Sequence, residues 1–360
     1  GNIGPEAGLP VMEGKALLYK YLGGVDAFPI VVNAHDPDDI IQLVKWISPS
    51  FGGINLEDIQ QPKCFYILDK LREDTSIPVW HDDQQGTATV TLAGLVNALK
   101  VVDKQLSKVR IAIIGSGAAN VAVTRLILAA GADPRKLYVV DSKGILHPGR
   151  KDLEAVKDEF VDKWRICNTT NGDRRTGGIP EAMKGADVCI ALSRSGPDVI
   201  HKDWAAAMAK NSILFACANP IPEIWPWEAK EAGVRVVATG RSDFPNQVNN
   251  SMGFPGIFRG ALDVAAKTIT DEMCIAAANE LAQCQEDAGL DDEHIMPTME
   301  AVEPFVREAV AVGMKAQEQG IARMKVSEAA LRKQATTMIT EARKVVEVLM
   351  REDLIHLPVD

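Results

Sequence analysis

Short apolar runs alternate with segments whose apolar positions recur every three or four residues, from the start of the chain to about residue 258. Beyond that point the helical spacing continues to the end. In the first part, the runs at 28–32 (FPIVV), 51–56 and 77–80 predict strands. Residues 15–21, 40–47, 62–72 and 87–99 predict helices, and 4–14 reads as a Gly/Pro-rich loop. Asp36 and Pro37 stand where a cap and a first-turn proline belong for the helix at 40–47. Farther on, 109–114, 137–140, 188–192, 213–218 and 234–239 predict buried strands, with helical segments between them, the first at 121–130. Strands separated by helices indicate a parallel sheet. Residues 260–289, 299–319 and 327–351 predict C-terminal helices. The chain therefore reads as α/β, divided near 105 and 258 into units 1–105, 106–258 and 259–360.

Composition narrows this picture. At 360 residues the chain holds about two domains of usual size. With 46% hydrophobic and 24% charged residues it reads as an ordinary globular protein. A net charge of −10 argues against a nucleic-acid partner, which needs a basic face. Cys64, Cys167, Cys189, Cys217, Cys274 and Cys284 are scattered without a CxxC pair, so buried thiols in a reducing compartment are expected. No run has transmembrane length and no signal peptide is evident, so a cytoplasmic protein with no membrane partner is expected. Gly1-Asn2-Ile3-Gly4-Pro5 reads as a loop already in progress.

Three patterns carry chemistry. The first is His81-Asp82-Asp83-Gln84-Gln85-Gly86-Thr87-Ala88, two acids between a strand end and a helix start. Glu57-Asp58 follows another strand end. If the two strands are parallel neighbours, both acid pairs meet at one edge and could hold Mg²⁺ or Mn²⁺. Solvated helix-capping acids are the plainer alternative. The second pattern is Gly115-x-Gly117-x-x-Asn120 between a strand and a helix, with Asp141 about twenty residues on. That is the setting of a dinucleotide fingerprint in a Rossmann-like fold, with the helix N-terminus facing the pyrophosphate. Asn120 replaces the third glycine, so slightly looser helix–strand packing is expected. Asp141 favours the ribose hydroxyls of NAD, while Ser142 and Lys143 suit the 2′-phosphate of NADP, and the choice stays open. The third pattern is a set of amides, Asn219, Asn249 and Asn250, at strand ends and in Gly/Pro loops. They are either turn residues or groups that orient a small carboxylate substrate. Lys15, alone, reads as a surface lysine; near a metal it could serve as a base.

Together these segments resemble the malic enzymes, especially the shorter microbial type. The matches are GNIGP…PVMEGKALLYK, FGGINLEDI, HDDQQGTA, GSGAAN with VVDSKG, ACANP and NQVNNSMGFPG, in the family's order over residues 1 to about 260. The resemblance implies a Rossmann-like NAD(P)-binding domain, a smaller α/β substrate and metal domain, and C-terminal helices that pack back on the first domain or form an oligomer interface. It implies oxidative decarboxylation of (S)-malate to pyruvate and CO₂ with NAD or NADP and Mg²⁺ or Mn²⁺, in a homodimer or homotetramer. Glu57, Asp58 and Asp83 match the metal ligands. Lys15 matches the general base, and Asp82 the acid paired with it. Asn219, Asn249 and Asn250 fall in the substrate-orienting loops. Thr87, Gly115, Gly117, Ala118, Ala119, Asp141 and Asn219 fall where the family binds its cofactor.

The family's final proton donor is a tyrosine in an N-terminal segment that would precede Gly1, and Tyr19, Tyr21, Tyr66 and Tyr138 match no such motif. The sequence is thus expected to be a fragment or processed form, and no carboxylate-binding arginine is placed. Two rival readings remain: a non-catalytic nucleotide or dicarboxylate sensor, and another two-domain NAD(P)-dependent dehydrogenase, which would not need Glu57, Asp58 and Asp83 together.

Overall fold

The structure is a computed structural model that describes residues 4–355. The loop reading of Gly1, Asn2 and Ile3 lies outside them. Among the described residues the strands form a two-stranded and a six-stranded sheet.

The chain opens with a helix, α1 (Pro5–Gly23), where a loop was expected up to residue 14. Gly8, Pro10 and Gly14 are weak helix formers. Packing anchors the helix at its other end, where Tyr19, Leu22 and Gly23 are buried, and the exposed first turns propagate from that anchored part, since extending a formed helix costs far less than starting one. The FPIVV run is the second departure. Among the described residues it pairs with no strand, and Phe28 is 70% exposed with its ring 6.2 Å from that of Phe51. Its β-branched residues fit a pleated surface, but that preference alone does not add it to the two-stranded sheet.

Helix α2 (Pro37–Ile47) starts as expected, with the Asp36 side chain accepting the Asp38 amide. Strands β1 (Ile54–Leu56) and β2 (Val79–His81) are parallel neighbours, with Leu56 opposite His81. Both acid pairs therefore leave adjacent strand ends. Ile41, Val44, Leu56, Ile67, Leu68, Leu71 and Val79 form a small core under this sheet, closed by α3 (Lys63–Asp74). Asp82–Gly86 makes a single π-helical turn, which runs into α4 (Thr87–Val101).

The larger sheet has strands β3 (Ile111–Ile114), β4 (Leu137–Asp141), β5 (Gly144–Ile145), β6 (Val188–Ala191), β7 (Ile213–Ala216) and β8 (Val236–Thr239). Their spatial order is β5-β4-β3-β6-β7-β8, all parallel except the short β5. Alternate residues enter opposite layers: Ile111 and Ile113 one core, Ala112 and Ile114 the other. The chain winds outward in both directions from β3 and β6, so a ligand crevice opens at their carboxyl ends. Helix α5 (Ala118–Ala129) follows β3 and packs on α4.

The stretch at 260–289 is two helices, α6 (Phe254–Asp263) and α7 (Asp271–Ala288). Thr270 caps the second by accepting the Met273 amide. Helices α8 (Glu303–Glu318) and α9 (Glu328–Arg351) complete the layer. From α9, Arg343 donates to the carbonyls of Met299, Glu300, Ala301 and Tyr21, and from α6 Arg259 donates to that of Gly24. Residues over 200 positions away thus hold the end of α1 in place. All six cysteines are free thiols, and among the described residues no helix is long and apolar enough to cross a membrane.

Candidate active site

Helix α1 brings Lys15 to the two acid-bearing strand ends. Its Nζ forms ion pairs with Asp82 and, at 3.2 Å, with Glu57, and lies 4.5 Å from the centre of the Phe254 ring. Burial pulls the Lys15 pKa down, but Asp82 and Glu57 raise it by more, so the group is held as an ammonium above its ordinary value. It is not the surface lysine its sequence position suggests. Asp82 is fully buried and also accepts from the Trp80 indole at 3.1 Å. Gly86 makes room for it: a Cβ there would fall on the Asp82 carboxylate. Gly86→Ala should therefore push Asp82 off Lys15 and lower the melting temperature, and an unchanged thermal melt would show that the pair tolerates the added methyl.

Glu57, Asp58 and Asp83 meet at the same edge but do not form a closed cage. Among the described residues no three His, Cys, Asp or Glu side chains stand together as they would around one ion. Glu57 turns to Lys15 and to the Asn55 amide, 3.2 Å away. Asp83 accepts the Asp58 backbone amide at 2.8 Å, with the His81 ring at 3.7 Å. Burial, then Asp82 and Asp83, push Glu57 well above the usual carboxylate range. Burial lowers His81 to about 4, so its ring is neutral at pH 7, and neither ring nitrogen has a hydrogen-bond partner. Asp58 adopts φ +59°, an uncommon left-handed conformation. An all-oxygen donor set with a surplus of negative charge suits a hard divalent cation, so the residues fit Mg²⁺ or Mn²⁺ in chemistry. Lys15, Tyr19, Asn55, Glu57 and Asp58 line a cleft of about 360 Å³.

The dinucleotide turn lies across the crevice. Gly115 has φ +102°, and a Cβ there would sit 2.7 Å from the Leu192 carbonyl, so only glycine fits. Gly117 precedes Ala118 and Ala119, whose amides open α5 toward the crevice. Asn120 does not loosen the packing. It is fully buried and donates to the carbonyls of Ile114 (2.8 Å), Gly115 and Leu192, tying the ends of β3 and β6 together. Thr87 is the first residue of α4, and its amide donates to Asp82 and Gln84 carbonyls, so it links the acid turn to the helix that packs on α5.

Asp141 ends β4, as a ribose-binding acid would, but its carboxylate is already engaged. Arg150 donates to both oxygens (3.0 and 2.9 Å), Lys163 pairs with it at 2.8 Å, and the Lys143 amide donates at 2.9 Å. Although burial raises it, these donors hold its pKa below the usual range. Arg150 and Lys163 were not foreseen, because nothing in the spacing brings them back to the strand end.

The amides converge from β7 and β8. Asn219 lies against Gly240, whose carbonyl accepts from Asn249 at 3.0 Å. Asn249 in turn caps the turn before α6 by accepting the Ser251 amide. Asn250 packs against Gly86, beside Asp82, and so spans the two sheets' sites. Glu223, buried near Asn219, was also missed; its only signal is an acid in a Pro-x-Pro-Glu loop.

A doubly wound sheet with a dinucleotide turn, facing a lysine among carboxylates, defines a nicotinamide-nucleotide oxidoreductase. Comparison with known proteins narrows the class. Residues 84–318 match the malic enzyme NAD binding domain, and residues 1–37 and 34–72 match the malic enzyme N-terminal domain. The chain is 49% identical to the bifunctional malic/malolactic enzyme of Bacillus subtilis, over 91% of this chain and 77% of that protein. It is 47% identical to the NAD-dependent malic enzyme of Geobacillus stearothermophilus, over 90% of this chain and 65% of that one. The solved malic enzyme of Entamoeba histolytica superposes with a TM-score of 0.97 at 50% identity, over 99% of this chain and 75% of its own. The chain belongs to the malic enzyme family, the NAD(P)-dependent enzymes that oxidatively decarboxylate malate. Both NAD- and NADP-dependent members occur among its relatives.

Proposed function

We propose that this cleft converts (S)-malate to pyruvate and CO₂ while reducing NAD or NADP, with Mg²⁺ or Mn²⁺ held by Glu57, Asp58 and Asp83. The observation that carries the reading is Lys15, gripped by Asp82 and Glu57 beside the dinucleotide crevice. A bound divalent cation supplies Lewis-acid polarisation of the substrate's oxygens. A cation held by Glu57 would weaken that carboxylate's grip on the Lys15 ammonium, whose proton would pass to solvent, and the neutral Nζ would then take the C2 hydroxyl proton as hydride passes from C2 to the nicotinamide. Asp82 keeps that nitrogen in place in both protonation states. Asn219 and Asn250 orient the carboxylates of malate against the ring, while Asn249, bound to the Gly240 carbonyl and the Ser251 amide, shapes the loop that carries Asn250. The α5 N-terminus, with Gly115, Gly117, Ala118 and Ala119, seats the pyrophosphate, and Asp141 with its cations lies at the adenosine ribose. The C3–C4 bond then breaks to release CO₂, and C3 takes up a proton to give pyruvate.

The division into units 1–105, 106–258 and 259–360 belongs to this reading. So do a homodimer or homotetramer and a cytoplasmic setting. The free thiols support a reducing compartment.

Purified protein given malate, Mn²⁺ and each dinucleotide should develop the ultraviolet absorbance of reduced nicotinamide; silence with both, from the full-length protein, overturns the proposal. Asp83→Ala should weaken Mn²⁺ binding about 10²-fold or more, since even outer-shell partners of a metal are worth 10–100-fold. Paramagnetic-resonance titration of free Mn²⁺ measures this without turnover. Native affinity in that variant would strip Asp83 of its assigned role.

A further inference from the structure

Glu223 is a buried carboxylate that none of these steps uses, and buried charges persist only where something holds them. Its Oε1 accepts from the Ser193 amide at 2.9 Å and the Ser193 hydroxyl at 3.4 Å. Its Oε2 accepts from the Ala218 amide at 3.0 Å. Burial raises its pKa, and the amides of Ser193 and Ala218 pull it back.

The two clients of this carboxylate lie just past neighbouring strands. Ser193 continues β6 and Ala218 continues β7, whose ladder ends at Ala191 opposite Ala216. One more ladder bond follows, from the Cys217 amide to the Ala191 carbonyl at 3.0 Å. Beyond it Glu223 takes over the bridging. On one side Ser193 borders the phosphate turn: a Cβ on Gly115 would lie 3.2 Å from the Ser193 Cα. On the other side Ala218 directly precedes Asn219.

We propose that Glu223 is a positioning residue that fixes the gap between the phosphate turn and Asn219, and thereby the seat of the nicotinamide ring against the substrate. The substrate half of this statement rests on the malic enzyme reading of the cleft; the cofactor half does not. Both clients are N–H donors, so both carboxylate oxygens must accept. Glutamine keeps the shape but offers one oxygen and one NH₂, and so sets donor against donor at one strand end. Aspartate keeps two acceptors on a shorter arm.

The test compares native protein, Glu223→Gln and Glu223→Asp by calorimetry with NAD, NADP and ADP-ribose, and by steady-state kinetics. For Glu223→Gln, ADP-ribose affinity should fall far less than dinucleotide affinity, because the Asn120 amide ties the phosphate turn to β3 and to Leu192 without Glu223. The extra affinity supplied by the nicotinamide half should be lost, kcat should fall about 10²-fold, and KM for malate should rise. Glu223→Asp should recover part of each. The proposal is overturned if the Gln variant keeps the native ratio of dinucleotide to ADP-ribose affinity. It is equally overturned if both affinities fall together, the mark of general collapse. Should the native protein fail to oxidise malate at all, the proposed reaction fails, while the affinity ratio still decides Glu223.

Discussion

Lys15→Met is expected to lower kcat for malate oxidation by about 10²–10⁴-fold, the usual cost of losing a general base. Methionine keeps an unbranched apolar stem but loses the nitrogen, and with it the cation–π contact to the Phe254 ring. Substrate carboxylate contacts are assigned to other residues, so KM should move far less than kcat, the signature of an interaction made in the transition state. NADP or NAD affinity should hold, because the dinucleotide turn lies across the crevice. One complication has a clear sign. Removing the ammonium leaves Asp82 and Glu57 facing each other without their cation, and both are buried carboxylates. The variant should therefore be less stable above the carboxylate pKa range and recover on acidification. Steady-state kinetics beside thermal melts at two pH values separates the two effects. Turnover within a few-fold of native would end the assignment of Lys15 as the base.

The second large effect is on stability. Glu308 on α8 is completely buried, neither carboxylate oxygen has a hydrogen-bond partner among the described residues, and one oxygen lies against Gly256 at the start of α6. Burial alone pushes its pKa well above the ordinary carboxylate value. A carboxyl whose folded value is raised contributes its stability fully below the unfolded value, about 4.3, and loses it as pH rises toward the folded value. Within that window the loss runs at about 1.4 kcal/mol per pH unit. Glu308→Gln has nearly the same shape and never ionises. It should match the native protein near pH 4 and become progressively more stable than it as pH rises. Denaturant melts at pH 4.5, 6 and 7.5 read the difference, and parallel profiles would show that the carboxyl is compensated in the fold.

Much of this site is legible in the sequence because its parts are local. The acid pairs follow strands marked by continuous apolar runs, and the Gly115 turn sits between a strand and a helix. Such patterns depend on steric rules that act within a few residues, so the βα alternation and the fingerprint with Asp141 emerge without tertiary information. The resemblance then supplied the roles of Lys15 and the amides, which spacing could not.

The failures share a cause. Residues 4–14 read as a loop because Gly and Pro are poor helix formers, yet 5–14 are helical because they extend a helix whose far end is buried through Tyr19, Leu22 and Gly23. The FPIVV run reads as a strand because its residues favour one, yet among the described residues it joins neither sheet, since strand pairing needs a partner across space that propensity does not supply. Asn120 reads as a defect in the glycine pattern and is a three-way tie, since its acceptor on Leu192 comes from another strand. Arg150 and Lys163 on Asp141, and Glu223 between β6 and β7, were invisible for the same reason.

By itself the sequence determined the order of elements, the strand ends that bear acids and the turn that faces a pyrophosphate, all set by periodicity and steric limits over short range. Only the tertiary structure decided that Lys15 reaches Asp82, that Glu57 answers to Lys15, and which carboxylates already have partners. Those outcomes depend on distance and burial between residues far apart along the chain, where Arg259 and Arg343 anchor the end of α1, and neither quantity is written in a local pattern.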